Sequence, residues 1–187
     1  MLTFASFCDN LTPLTNIAIN DLEYIVKEKT FKKGEYILHQ ERICRNLYFI
    51  NSGLVKMFRY SEGKEFIMNF FREENMFTVL NSFPFQTPSE YNIIALESTS
   101  IQYISSGALE ELCHKHHCIE TFYRKILSHA TYNMMHRIKE MLTQSHEDHY
   151  KQYLEDNHEL VQRISLGDLA CYLGISQVSL SRIRSRK

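Results

Sequence analysis

The chain has 187 residues, 44% of them apolar and 23% charged, with a formal net charge of −1. That is enough apolar chain to bury the core of one medium domain plus a small one, and it excludes a disordered protein. Charge is unevenly shared: residues 161 to 187 hold Arg163, Arg182, Arg184, Arg186 and Lys187 against Asp168 alone, a balance of +4 that leaves −5 for the remainder, so only this end is a candidate polyanion contact.

In chain order, the start "MLTFASFCDN" lacks the basic flank of a signal peptide. No run approaches the roughly 18 uninterrupted apolar residues of a membrane helix, so the expectation is a cytoplasmic protein with no membrane partner. "NDLEYIVKEK" predicts a short helix capped by Asn20, with Glu23 closing a capping box. Between Lys29 and Ser105 come the short apolar and β-branched runs "EYILH", "NLYFI", "LVKMFRY", "EFIMNFF", "YNIIALE" and "SIQYIS", divided by "KKGE", "NSG", "SEGK" and "TPSE". That spacing predicts an antiparallel barrel or roll. The alternation in "GLVKMFRY" is too imperfect to assign faces.

Past Gly107 the period becomes helical. Apolar residues recur at three and four from Ile119 to Leu142, and neither Pro nor Gly interrupts 108 to 146, which predicts one long amphipathic helix. Its stripe, with Ile119, Phe122, Ile126, Ala130, Met134 and Ile138, is longer than one small roll can cover, so part of it is expected to zip against a second copy as a homodimer. The polar stretch "SHEDHYKQYLEDNHELVQ" reads as the connection into a C-terminal module.

That module carries the informative pattern. Ser165 and Asp168 form a capping box, "LGDLACYL" a first helix of about eight residues, Gly174 its left-handed end, Ile175 an apolar plug, and Ser176 the cap of a second helix, "QVSLSRIRSR". This is a helix-turn-helix. At 100° per residue Leu180 and Ile183 must face the first helix, leaving Val178, Ser181, Arg182 and Ser185 outward with Gln177 and Arg184 on one flank. Such a face suits a DNA major groove: Arg182 for a bidentate contact to guanine, Val178 for a thymine methyl, Gln177 for an adenine edge. Arg184, Arg186 and Lys187 then lie beside phosphates.

A roll with "FKKGEYILHQE" and "LYFINSGLVKMFRYSEGKEF", then "IIALEST", a long helix and "ISLGDLACYLGISQVSLSRIR" resembles the Crp/Fnr family of bacterial transcription regulators over residues 31 to 187. The resemblance implies an α+β chain: an N-terminal antiparallel β-roll, a double-stranded β-helix like cyclic-nucleotide-binding domains, over 1–118; a dimerisation helix over 119–146; and a helix-turn-helix domain over 147–187. Double-stranded DNA and RNA polymerase are the implied partners. The family places an arginine where Arg182 stands, and the expected DNA-contacting set is Ser165, Ser176, Gln177, Val178, Ser179, Ser181, Arg182, Arg184, Arg186 and Lys187. Two departures matter: Val178 stands where well-known members carry a glutamate, and after Lys187 no residues remain for most of the usual wing.

Alignment of "IIALEST" with the strand after the family's phosphate cassette puts "FTVLNSFPFQTPSEYN" over it. Thr78 and Val79 then replace the Gly-Glu pair, and Ser89 or Glu90 the phosphate-binding arginine. Without a cation, an anionic nucleotide loses the charge-assisted bonds that offset its dehydration, so no response to cyclic AMP is expected. The cavity beside Phe77, Thr78, Val79, Ser89, Glu90 and Tyr91 is expected to be closed by Phe77, Phe83 and Phe85, or suited to an uncharged apolar ligand.

Five scattered cysteines without a CxxC predict free thiols. "CHKHHC" over Cys113 to Cys118 has metal-ligand residue types, but on one helix they point apart, so no metal or other cofactor is expected. The competing class is a cupin-like enzyme or metal sensor whose helical tail does not bind DNA. It would need converging His and Glu ligands in the roll, which offers His39 alone; with no Ser/His/Asp set, P-loop or dinucleotide turn either, no catalytic residue is assigned.

Overall fold

In a computed structural model of the protein, which describes residues 2–185, helices α1 (Phe4–Leu11) and α2 (Asn16–Ile25) come first. Each is started by a threonine: the Thr3 hydroxyl accepts from the Ser6 amide and the Thr15 hydroxyl from the Ala18 amide. The sequence pattern did not reveal α1. It misplaced α2 as well, because Thr15 caps a helix that already contains Asn20 and Glu23.

Eight strands follow: β1 (Lys27–Phe31), β2 (Tyr36–Leu38), β3 (Asn46–Ser52), β4 (Val55–Ser61), β5 (Lys64–Phe71), β6 (Met76–Phe77), β7 (Asn92–Ala95) and β8 (Thr99–Ser105). They form two antiparallel four-stranded sheets, ordered β1-β8-β3-β6 and β2-β7-β4-β5, and their inner faces enclose a core with Leu47, Phe49, Val55, Met57, Ile93 and Ile101. The roll expected from the spacing is present. β1, whose first three residues end the stretch expected to be helical, and the two-residue β6 are additional.

β4 shows why its alternation was illegible. Val55, Lys56, Met57 and Phe58 are all buried. Val55 and Met57 face the roll interior, whereas Phe58 joins Leu54, Ile67 and Phe70 in a second cluster with Tyr150, Tyr153, Leu160, Leu169, Leu173 and Leu180 of the C-terminal helices. A strand covered on both faces loses the period-two signature. Across from it, Met57 pairs with Asn69 and Phe58 with Ile67, which leaves Met68 as a bulge in β5.

The helix expected over 108–146 is two helices, α3 (Ser106–Lys115) and α4 (His117–Thr143), broken at His116. His116 is in extended geometry, φ −132° and ψ 103°, and its Nε2 lies 2.6 Å from the Asp21 carboxylate. Tertiary contact with α2 overrides a helical pattern that contains neither Pro nor Gly. The polar stretch read as a connection is helical too, as α5 (His146–Asp156) and α6 (His158–Val161), because Tyr150, Tyr153 and Leu160 give it an apolar face. Last come α7 (Leu166–Leu173) and α8 (Gln177–Ser185). Among the described residues, no helix is long and apolar enough to cross a membrane.

Candidate nucleic-acid interface, sensor cavity and the seam between them

Local chemistry builds the last two helices as the sequence reading expects. The Ser165 hydroxyl accepts from the Asp168 amide at 2.9 Å and lies 2.8 Å from the Asp168 carboxylate. Gly174 adopts φ +71°, and the Ile175 amide reaches back to the Ala170 carbonyl at 3.0 Å, closing α7. The Ser176 hydroxyl then accepts from the Ser179 amide at 3.0 Å and starts α8. Leu180 is fully buried and Ile183 half-buried, whereas Gln177, Val178, Ser181, Arg182, Arg184 and Ser185 are exposed. Val178 is 62% exposed although apolar. Ser165 lies at the far end of α7, and Ser176 and Ser179 lie in the cap of α8. Arg186 and Lys187 fall outside the described residues.

In the roll, the segment between β6 and β7 is folded onto the chain after β2. The Thr78 hydroxyl donates to the Asn46 carbonyl at 2.9 Å, and the Cys44 amide donates to the Ser82 hydroxyl at 2.9 Å. Ser89 pairs through its backbone with Glu41 and Arg42, and its hydroxyl donates to the Tyr91 carbonyl. Val79, Phe77 and Phe83 are buried. Phe77 stacks on Phe71 at 4.5 Å and on Tyr48 at 5.2 Å between ring centres, so aromatic rings fill the interior beneath the cassette. Phe85 does not help to close it: at 73% exposure it points outward, because the turn that buries Phe83 carries the next residues to the surface. The expectation of a cassette without a cation also needs correcting. Arg59 of β4 reaches across to Glu90 at 3.0 Å, and Asn81 holds the other Glu90 oxygen at 3.2 Å. The cation was hidden in a strand distant in sequence, and a carboxylate already neutralises it.

A third feature lies where the C-terminal helices rest on the outer face of β4 and β5. Arg163, just before α7, forks two carboxylates: Nη1 and Nη2 each lie 2.8 Å from Glu73, and Nη2 lies 2.6 Å from Glu97. Glu73 also accepts the Gly53 amide at 2.8 Å. Hydrogen bonding to Arg163, with those amide bonds, brings the Glu73 carboxyl down to about 2, and the guanidinium is in turn held more firmly charged. Eleven per cent exposed, the Lys56 side chain has its Nζ 2.7 Å from Glu65 and 2.8 Å from Asp168. Burial alone would lower the pKa of this ammonium, but the bonds to Asp168 and Glu65 more than compensate and raise it. Arg137 of α4 donates to the Met68 and Ile67 carbonyls of β5 and, at 3.2 Å, to the Tyr172 carbonyl of α7, with its guanidinium 3.9 Å from the centre of the Tyr172 ring. Sequence reading names Arg163 as part of the basic end and Asp168 as a capping residue but none of these pairings, because partners as much as 112 residues apart leave no local signal.

Residues 28–116 match the family model of the cyclic nucleotide-binding domain. Among solved structures, FixK2 from Bradyrhizobium japonicum shares 18% identity and a TM-score of 0.73, over 87% of this chain and 84% of that one. A transcriptional regulator of the Crp/Fnr family from Eubacterium rectale gives 16% and 0.72 over 93% and 85%. The fold is that of the Crp/Fnr regulators. A CooA mutant from Carboxydothermus hydrogenoformans is similar at 16% identity and a TM-score of 0.70, over 92% and 85% of the two chains. No curated protein matches the chain in sequence.

Within this Crp/Fnr fold, α4 enters the core only at its start, and further along Arg137 ties it to β5 and α7. Of its 27 residues, Ile119 and Phe122 alone are buried, and they are buried in the chain's own core. They are therefore unavailable to a second copy, contrary to their place in the expected dimerisation stripe. Ile126 and Ala130 are half-buried, with Ile126 packed on the same core, whereas Met134 and Ile138 are exposed, as are Tyr132, Met135, Met141 and Leu142. The residues of "CHKHHC" are divided by the break at His116. Besides the His116 bond to Asp21, His114 Nδ1 meets the Glu110 carbonyl and His117 Nδ1 the Glu120 carboxylate. Among the described residues no cluster of three or more His, Cys, Asp or Glu side chains could hold a metal, and all five thiols are free.

Proposed function

We propose that the protein is a cytoplasmic DNA-binding transcription regulator of the Crp/Fnr type that binds a two-fold symmetric operator as a homodimer and does not answer to cyclic AMP. The observation that carries the reading is α8. It is held by the buried Leu180, and its outer face of Gln177, Val178, Ser181 and Arg182 is exposed and free of carboxylates. Among the described residues no carboxylate pairs with Arg182, so its guanidinium beside a small apolar side chain offers bidentate readout of guanine next to a thymine methyl, and Arg184 gives charge for a neighbouring phosphate. The free stretch from Tyr132 to Leu142 supports dimerisation, since six exposed large hydrophobic side chains on one helix call for a partner face. RNA polymerase is the further partner that such regulators position.

Insensitivity to cyclic AMP rests on the cassette. Thr78 and Ser89 are bonded within the protein, Phe77 and Val79 are buried, and Arg59 is paired with Glu90, so a cyclic phosphate would have to break an ion pair and would still face the carboxylate.

Selection of bound fragments from random duplex DNA tests the proposal and should return a two-fold symmetric consensus. Arg182→Ala should then lose about 1–3 kcal/mol per half-site on that consensus, and Arg184→Ala should weaken all sequences alike. Identical behaviour of the two variants on specific and random DNA would show that the wrong face of α8 has been assigned.

A further inference from the structure

Within the C-terminal unit a groove of about 590 Å³ opens between α5 and α6 on one side and the last turn of α8 on the other. Tyr150 and Leu154, one turn apart on α5, line it together with Val161 of α6 and Arg184 of α8, and Glu155 and His158 complete the wall opposite Arg184. Leu154 and Val161 are half-buried and supply an apolar surface. Tyr150 is 5% exposed, and its hydroxyl has no hydrogen-bond partner among the described residues. Unlike the Tyr153 hydroxyl, which is sealed from solvent, it stays open to the groove that its residue lines. A phenol held in this way offers its O–H to whatever enters.

The charges select what enters. Arg184 is exposed and has no carboxylate partner among the described residues, so the groove presents one free guanidinium and one neutral donor beside an apolar wall. That set matches a carboxylate on an apolar body: the guanidinium takes the charge in bidentate geometry, the phenol adds a hydrogen bond, and the body displaces water from Leu154 and Val161. Glu155 on the opposite wall repels a second negative charge, which disfavours dicarboxylates and phosphate dianions. We infer that this groove is a binding site for a small apolar monocarboxylate, and that its occupation weakens DNA binding because the ligand draws on the guanidinium that otherwise faces a phosphate. The second half of the inference rests on the DNA-binding reading above. By linkage, duplex DNA weakens the ligand's affinity by the same factor.

The probe is 3-phenylpropionate, with 3-phenylpropionamide as its uncharged counterpart, and binding to the full chain without DNA is followed by nuclear magnetic resonance shifts at constant ionic strength. Saturable binding of the acid is expected, about tenfold weaker for the amide and for Arg184→Gln, because each removes one half of a charge-assisted pair. Tyr150→Phe keeps the buried ring and removes only the donor, and should weaken the acid several-fold. Arg124→Gln makes the same change in net charge at an exposed site on α4 outside the groove, and should bind the acid as the parent chain does. The dissociation constant for a random-sequence duplex, read with and without saturating acid, should rise several-fold in the parent and stay level in Arg184→Gln. No saturable binding, or equal binding of acid and amide, would overturn the site. Acid binding untouched by both Arg184→Gln and Tyr150→Phe would put the ligand elsewhere and overturn it too. Duplex affinity that ignores the bound acid would overturn the competition alone. If the parent retains no duplex even at low salt, the DNA-binding reading fails and takes the competition with it, while the shifts still judge the groove.

Discussion

Gly53→Ala should be among the most damaging single-methyl changes available in the roll. Gly53 lies between β3 and β4 at φ +104°, where a side chain is strained in any surroundings. A Cβ built there stands 2.6 Å from the Thr99 Cα and 2.8 Å from the Ser98 carbonyl oxygen, and it also collides with the Thr99 hydroxyl. The hydroxyl can rotate away, but the two backbone atoms cannot move without shifting the start of β8. Backbone strain of about 1–3 kcal/mol and overpacking of about 1–3 kcal/mol sum to about 4 kcal/mol. For a chain of this size that lowers the melting temperature by roughly 8–16 °C. Gly34 and Gly63, at φ +81° and +73° with nothing within 4 Å of the added carbon, are internal controls; alanine at either should cost only the left-handed strain of roughly 1 kcal/mol. Thermal unfolding followed by circular dichroism separates the three variants. If Gly53→Ala melts with Gly34→Ala and Gly63→Ala, the close approach of the two backbones is wrong. The Gly53 amide also donates to Glu73, so the same variant should loosen the hold on Arg163 and raise exchange in α7.

Replacing Ile138 and Met141 by glutamate should give a folded monomer with weakened duplex binding, because both side chains are exposed and neither supports the chain's own core; an unchanged dimer in analytical ultracentrifugation would move the interface off the lower part of α4. Titration with cyclic AMP or cyclic GMP should produce no heat of binding, whereas micromolar affinity for either would mean that Arg59 leaves Glu90 for the phosphate. Burial holds the His149 imidazole below its ordinary value of 6.5, so above that pH the folded and unfolded chains are equally neutral there. As pH falls through 6.5 the unfolded chain gains a proton that the folded one resists, and stability falls with it. His149→Gln should remove that component between pH 7.5 and 5.5, which melting curves of the two proteins compare directly.

What could be read in the sequence was what local chemistry encodes. Ser165, Asp168, Gly174 and Ser176 mark the turns of the C-terminal unit within a dozen residues, and each behaves in the structure as its type demands. The six apolar runs of the roll fell into strands for the same reason. The errors lie where distant residues decide. The break at His116 is made with Asp21 of α2, and the outward turn of Phe85 with the folding of the cassette loop onto Cys44. The helices of 146–161 look polar until Tyr150, Tyr153 and Leu160 are placed against β4 and β5. Every cation of the seam was visible as a residue type. The partners were not, because Glu73 and Glu97 meet Arg163, and Asp168 meets Lys56, only once folding brings those distant segments together.

Arg137 protects more than the joint it holds. β5 is the last strand of its sheet, and an unpaired strand edge is a template on which the strand of another molecule can add, the first step of aggregation. Two of the carbonyls along that edge, Ile67 and Met68, are occupied by the Arg137 guanidinium, and the bulge at Met68 breaks the regular spacing that an incoming strand requires. One long side chain from α4 thus closes an edge that Phe66 and Met68, both exposed and apolar, would otherwise make adhesive. Loss of Arg137 is therefore expected to show first as a fall in soluble yield, with insoluble cross-β material accumulating while the roll itself still folds.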